Sequence, residues 1–448
     1  MSDEQQRIDS DKGTSETGIG PEEQAREVVK SLANDNLGQI VSQFSDGLAT
    51  NFTEEIPPTF ELYLQPEPEP LLNEHWLALT ALYGEFEGIS SIESQQVEEG
   101  TNVTVTLEFQ EQTHPLRLTT TPEGELSDLT FATGYEPPEY VDISQFEERD
   151  VTIRTDDLEL DGTLTVPEDS TNVPGVVLVH GSGGTDRDYT TGANKLLKDL
   201  ALGLADHGIA SIRYDKRSFV TDVPPDEFDI ESVVINDAVT AVDQLGAVEE
   251  VDTARRFVVG HSLGGTCATY IADQHDDVTG IVNLDGHADD SAADLFLPAV
   301  KERWEQQDDI SEYGREQIRR MEELADRIEA EEIEPDETTV LGVSGAWIQS
   351  YNDYVEEWLA TTQSLTTPRF ILLTGRDTPN QAVHWEETLH TELDDSDADV
   401  AFFEDVNHYF QAGDTPSSFL EPLKFRKPPA ETVLDNIAEW IFNIPATS

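Results

Sequence analysis

Phe257-Val258-Val259-Gly260-His261-Ser262-Leu263-Gly264-Gly265 is a short apolar run that breaks into a Gly-x-Ser-x-Gly turn. A run of this length, closed by glycine, reads as a strand buried on both faces. A helical pattern follows, so the turn joins strand to helix and lifts the Ser262 hydroxyl above the sheet edge. Backbone must pass close to backbone in such a turn, and Gly260 and Gly264 bring no Cβ to obstruct it. Ser262 is the candidate nucleophile.

A serine alcohol needs a base to take its proton, a carboxylate to orient that base and N–H donors for the oxyanion that forms. Upstream, Val176-Val177-Leu178-Val179-His180-Gly181-Ser182-Gly183-Gly184 is a second buried strand, running into a glycine-rich loop able to aim an N–H inward. The expected donors are the Leu263 N–H and that of Gly181 or Ser182. A phosphate-binding loop is the rival reading, but Gly-Lys-Ser/Thr is absent and G-x-G-x-x-G is not matched. Downstream, Phe370-Ile371-Leu372-Leu373-Thr374-Gly375-Arg376-Asp377 places Asp377 just past a strand, as the candidate acid. Asp285, at the end of the strand through Asn283-Leu284, competes for the same role. The candidate base is His408, in Val406-Asn407-His408-Tyr409-Phe410, after the last expected strand and before the C-terminal helix. His180 and His261 flank the loop and the turn and read as structural neighbours; His287 is a weaker alternative base. In chain order the expected triad is Ser262, Asp377, His408.

Farther out, strands are expected at 175–179, 210–214, 257–260, 280–284, 370–374 and 400–403, mostly with helical patterns between them. That alternation predicts an α/β fold with a mostly parallel, doubly wound sheet. A β-ribbon over 151–166, turning at Asp161-Gly162, precedes it, and a helical insertion of about 287–367 reads as a cap over the carboxyl ends of the strands. The hydrolytic candidates thus fall in a domain spanning 150–448. Before it come an acidic disordered tail over 1–20, an α+β domain over 21–135 with helices followed by a three-strand meander, and a Pro-containing linker over 136–149.

The 448 residues hold 26 Lys+Arg against 93 Asp+Glu, a net charge of -67 spread along the whole chain. Lysine is scarce, at 8 against 18 arginines. Because apolar residues are present in ordinary amounts, the charge does not imply disorder. The composition resembles that of cytoplasmic proteins of extreme halophiles, where a Debye length of roughly 3 Å at 1 M salt screens self-repulsion. Such a surface repels nucleic acid and anionic membranes. Cys267 is the single cysteine, which excludes a disulfide framework and a Cys-based metal site. No export signal or membrane-length apolar run is visible. The expectation is a cytoplasmic protein with a small-molecule partner and neither cofactor nor metal.

Further segments carry a family resemblance. Leu178 to Asp188, Asn194-Lys195 through Asp199-Leu200-Ala201 to Gly208-Ile209-Ala210, Arg213-Tyr214-Asp215-Lys216-Arg217 and Asn407-His408-Tyr409-Phe410-Gln411 are similar to serine esterases of the α/β-hydrolase superfamily that carry an additional N-terminal domain. The loop departs from those relatives at Gly183-Gly184, where they usually have Gly-Pro, and Thr378-Pro379-Asn380 after Asp377 departs from a Gln-Val pair. The resemblance implies a carboxylesterase for short acyl esters, with Ser262, Asp377 and His408 as its triad. Acyl-CoA thioesterases and serine aminopeptidases share that machinery, and a non-catalytic binding module on the same scaffold is the alternative of another class. The N-terminal domain resembles cone-shaped NTF2-like folds and is expected either to cover the site or to mediate a homodimer. Asp186, Arg187, Arg213 and Asp215 are expected to form ion pairs bracing the glycine-rich loop. Trp304, Trp347, Tyr351, Tyr354 and Trp358 read as cap core or acyl-pocket lining.

Overall fold

The computed structural model describes residues 19–446 apart from 55, 289–290, 306–308, 377–378 and 394–397. Nearly all of the acidic tail expected over 1–20 lies outside them, as does Asp377.

The N-terminal region packs α1 (Pro21–Ala33), α2 (Leu37–Val41), α3 (Asp46–Glu54) and α4 (Pro68–Tyr83) against an antiparallel sheet β1-β2-β3-β4, formed by Phe86–Val97, Gly100–Phe109, Thr113–Thr120 and Leu126–Thr130. Period-2 alternation puts Val103, Val105, Leu107 and Phe109 on the inner face, the arrangement of a sheet with one wet side. Helix α1 answers with Ala25, Val28, Val29 and Leu32. The meander has a fourth strand, β4, that the sequence reading missed. Its five residues, Leu-Ser-Asp-Leu-Thr, carry only two apolar side chains to mark the period.

In the second region β5 (Phe146–Arg154) and β6 (Glu159–Pro167) form the ribbon. The turn falls at Thr155–Leu158, where Leu158 N–H donates to Thr155 Oγ1. It does not fall at Asp161-Gly162, which lies inside β6. Gly162 is there for close approach, since a Cβ would meet the Arg213 carbonyl oxygen at 3.0 Å. The chain continues through β7 (Val173–Val179), a short ladder of β8 (Thr190–Thr191) and β9 (Asn194–Lys195), α5 (Leu196–Asp206), β10 (Ala210–Tyr214), α6 (Arg217–Val220) and α7 (Asn236–Gly246). Then come β11 (Val251–His261), α8 (Leu263–Gln274) and β12 (Val278–Leu284). The cap helices α9 (Ala292–Glu305), α10 (Glu312–Glu329) and α11 (Gly345–Ser364) follow, then β13 (Arg369–Thr374), α12 (Pro379–Glu392), β14 (Asp399–Phe403), α13 (Leu420–Lys424) and α14 (Glu431–Asn443).

The large sheet runs β14-β13-β12-β11-β7-β10-β6-β5, parallel from β14 to β10 and antiparallel beyond. Its strands are apolar on both faces because both are covered. Val176, Leu178, Phe257 and Val259 face α5 and α14, while Val177, Val179 and Val258 face α7 and α8. The chain leaves β7 for β10 on one side and adds β11 on the other, so the order reverses around β7. The crevice at such a reversal, above the carboxyl ends of the strands, is where open α/β sheets place their chemistry.

The two regions share material. The segment between β14 and α14 sends Leu420 and Phe425 into the N-terminal core, and Leu62 of the N-terminal region enters the core under the cap. Trp304 Nε1 donates to the Leu62 carbonyl at 2.7 Å, and Tyr313 Oη to that of Glu61 at 3.0 Å. Among the described residues no helix is long and apolar enough to cross a membrane.

Candidate active site

Ser262 opens α8 with φ 53° and ψ -124°, a sparsely populated conformation for a residue with a side chain. Its surroundings enforce it. The Ser262 N–H donates to the Leu284 carbonyl at 2.8 Å, and the Ser262 carbonyl accepts from Gly265 N–H at 2.8 Å. A Cβ on Gly260 would lie 2.0 Å from the Gly264 carbonyl oxygen, and one on Gly264 would lie 2.5 Å from that of His180. The second contact shows how the loop after β7 and the turn after β11 press together. Gly181 closes the same gap, where a Cβ would stand 3.0 Å from Ser262 Cβ. The Leu263 N–H is the first of α8 and so has no intrahelical acceptor.

The loop carrying His408 is turned by Asn407, whose Oδ1 accepts from the N–H groups of Tyr409 and Gln411, each at 3.0 Å. Asn407 Nδ2 donates to Glu421 Oε2 at 3.0 Å, and Glu421 also forms a fully buried ion pair with Arg376. His261 completes the placement. Its Nε2 donates to the His408 carbonyl at 2.7 Å, so the residue beside the nucleophile holds the histidine loop directly. Burial, then the neighbouring His408, drops the pKa of the His261 imidazole to about 3 and keeps it neutral.

His408 Nδ1 stands 2.6 Å from Asp285 Oδ2. A carboxylate accepts, so the proton sits on Nδ1 and the Nε2 lone pair is left as a base. Asp285 is in the left-handed region at φ 56°, which Asp tolerates better than most residues. Thr374 supports both of its oxygens, with N–H to Oδ1 at 2.9 Å and Oγ1 to Oδ2 at 2.6 Å. Burial would raise this carboxyl, but the hydrogen bond and charge of His408, with help from His287 and Thr374, outweigh it and hold the pKa at about 2. His287 Nε2 lies 3.9 Å from Asp285 Oδ1. The carboxylate at His408 is thus the one that the sequence offered as competitor to Asp377.

Sequence reading missed Thr374, Asn407 and Glu421 as supports of the carboxylate and the histidine loop, whereas the ion pairs expected around the glycine-rich loop form in part. Arg187 pairs with Asp215, which also accepts the Arg187 N–H at 2.7 Å. Arg213 pairs with Asp188 and Glu148. Among the described residues Asp186 joins no ion pair; it accepts from Thr190 N–H and Oγ1. Of the cap aromatics, Trp304, Trp347, Tyr351 and Trp358 are buried in the core beneath the cap.

A family model described as "Alpha/beta hydrolase family" matches residues 176–421. Esterase EstD of Thermotoga maritima is 31% identical over 379 residues, covering 83% of this chain and 86% of that protein. Among solved structures, the hyperthermophilic esterase from Pyrobaculum calidifontis aligns with a TM-score of 0.42 at 14% identity, covering 67% of this chain and 87% of that one. Brefeldin A esterase aligns with a TM-score of 0.43 at 17% identity, covering 69% and 80% respectively.

Proposed function

The chain belongs to the alpha/beta hydrolase family, and on that premise we propose that it is a carboxylesterase acting on neutral esters of short acyl chains through an acyl-Ser262 intermediate. The observation that carries the reading is the His408–Asp285 hydrogen bond at 2.6 Å, on a loop tied to the residue beside Ser262. His408 Nε2 takes the Ser262 proton as the hydroxyl oxygen attacks the ester carbonyl, and the imidazolium formed is stabilised by the Asp285 carboxylate. The tetrahedral oxyanion is met by the Leu263 N–H and a donor from the Gly181-Ser182 loop. His408 then protonates the departing alkoxide, and the same steps with water release the acid and restore the serine.

At low ionic strength the charge of -67 disfavours polyanionic acyl-CoA substrates; in molar salt that repulsion is screened, and a panel of thioesters beside oxygen esters makes the choice. Kinetics with p-nitrophenyl acetate in molar KCl, with fluorophosphonate labelling, test the proposal. Ser262→Ala is expected to lose kcat by at least about 10³-fold and to resist the probe. Ordinary turnover by that variant sinks the reading.

A further inference from the structure

Lys216 is 3% exposed in a chain with only 8 lysines. It follows β10, and its Nζ donates to the Gly181 carbonyl at 2.6 Å. Its own N–H donates to the Thr185 carbonyl at 3.2 Å, so it grips both ends of the glycine-rich loop. No carboxylate is ion-paired with it among the described residues; Asp237, which acts on it electrostatically, is bound by Arg217 at 2.7 Å. Burying an ammonium with a lone carbonyl as partner is costly, so the position calls for an explanation.

The geometry of the peptide unit supplies one. The bond between Gly181 and Ser182 is trans, and in a planar trans peptide the C=O and the following N–H point in opposite directions. Holding the Gly181 oxygen toward Lys216 therefore turns the Ser182 N–H away from it. Gly181 itself borders Ser262, and Ser182 is exposed.

We propose that Lys216 is a positioning residue of the oxyanion hole, fixing the Gly181–Ser182 peptide so that the Ser182 N–H faces the carbonyl oxygen under attack. The inference rests on the acyl-Ser262 mechanism and selects Ser182 over Gly181 as the loop donor. Lys216 also sets a cation behind that peptide, polarising the N–H toward the developing negative charge. The titratable groups that act on it are His180 after β7, Asp237 on α7 and Cys267 on α8. Burial lowers the Lys216 pKa to about 8, partly offset by Asp237, while burial pushes the Cys267 thiol up to about 12, so that it stays neutral where Lys216 titrates. The cation is therefore present below about pH 8 and is lost above it.

The test is steady-state kinetics of the full chain in molar KCl, with Ser262→Ala in parallel. Lys216→Met is expected to lower kcat by about 10²-fold or more with KM within about threefold, and Lys216→Gln, which keeps a neutral donor, to recover part of the loss. Wild-type kcat is expected to fall along an alkaline limb near pH 8 that the Met variant lacks. A folded Met variant with wild-type kcat, beside an inactive Ser262→Ala, overturns the proposal while leaving the mechanism standing; an active Ser262→Ala overturns the mechanism itself. Should Lys216→Met fail to fold, the wild-type profile decides alone, and a kcat flat through about pH 9.5 overturns the proposal.

Discussion

At the scale of single residues, the site depends on one carboxylate keeping its charge in a buried place. Asp285 is 4% exposed yet is held ionised by the two histidines and Thr374 around it. Replacing it with Asn keeps the shape but lets the imidazole take the wrong tautomer. Asp285→Asn is expected to lower kcat by about 10³–10⁴-fold, and Asp377→Asn measured alongside decides the assignment: the larger loss identifies the orienting acid. A stability signature accompanies it. Because the folded pKa is depressed from 3.8 to about 2, this group contributes stability above its unfolded pKa, and the contribution fades as pH falls toward 2. The gap in urea midpoint between wild type and Asp285→Asn should therefore shrink between about pH 5 and pH 2.

Among elements, the strand-turn-helix unit from β11 to α8 has the least tolerance. A Cβ at Gly264 runs into backbone carbonyls of β7 and the loop after it, which cannot rotate aside. Gly264→Ala is expected to cost at least about 2–3 kcal/mol and most of the activity, whereas Gly134→Ala, where nothing lies within 4 Å, should stay within about 0.5 kcal/mol. Equal melting temperatures for the two variants would contradict this account. The same unit shows why so much was legible. Continuous apolar runs closed by glycine identify parallel strands, and all six expected strands of the parallel sheet are present. The acid was less legible because Asp285 and Asp377 both follow strands, and only register brings Thr374 and His408 onto Asp285. The grip of Lys216 on Gly181 spans 35 residues of chain with no local pattern to announce it.

For the whole molecule, the dominant fact is charge. With 93 acidic side chains against 26 basic ones, self-repulsion opposes compaction wherever salt does not screen it. The melting temperature is expected to fall steadily as KCl is lowered from about 2 M to 0.1 M, over which the Debye length grows from a few Å to about 10 Å. A melting temperature independent of salt would show that the acids sit in compensated networks instead. Pairs such as Arg376–Glu421 and Arg303–Glu74 are buried and should resist that change, being screened little by ions outside.

The segment that carries Leu420 and Phe425 into the N-terminal core sets an order of events during synthesis. Domains generally mature in the order they leave the ribosome. Here the region translated earlier lacks two pieces of its interior until Leu420 and Phe425 have been made, so it waits, incomplete, for that segment to arrive.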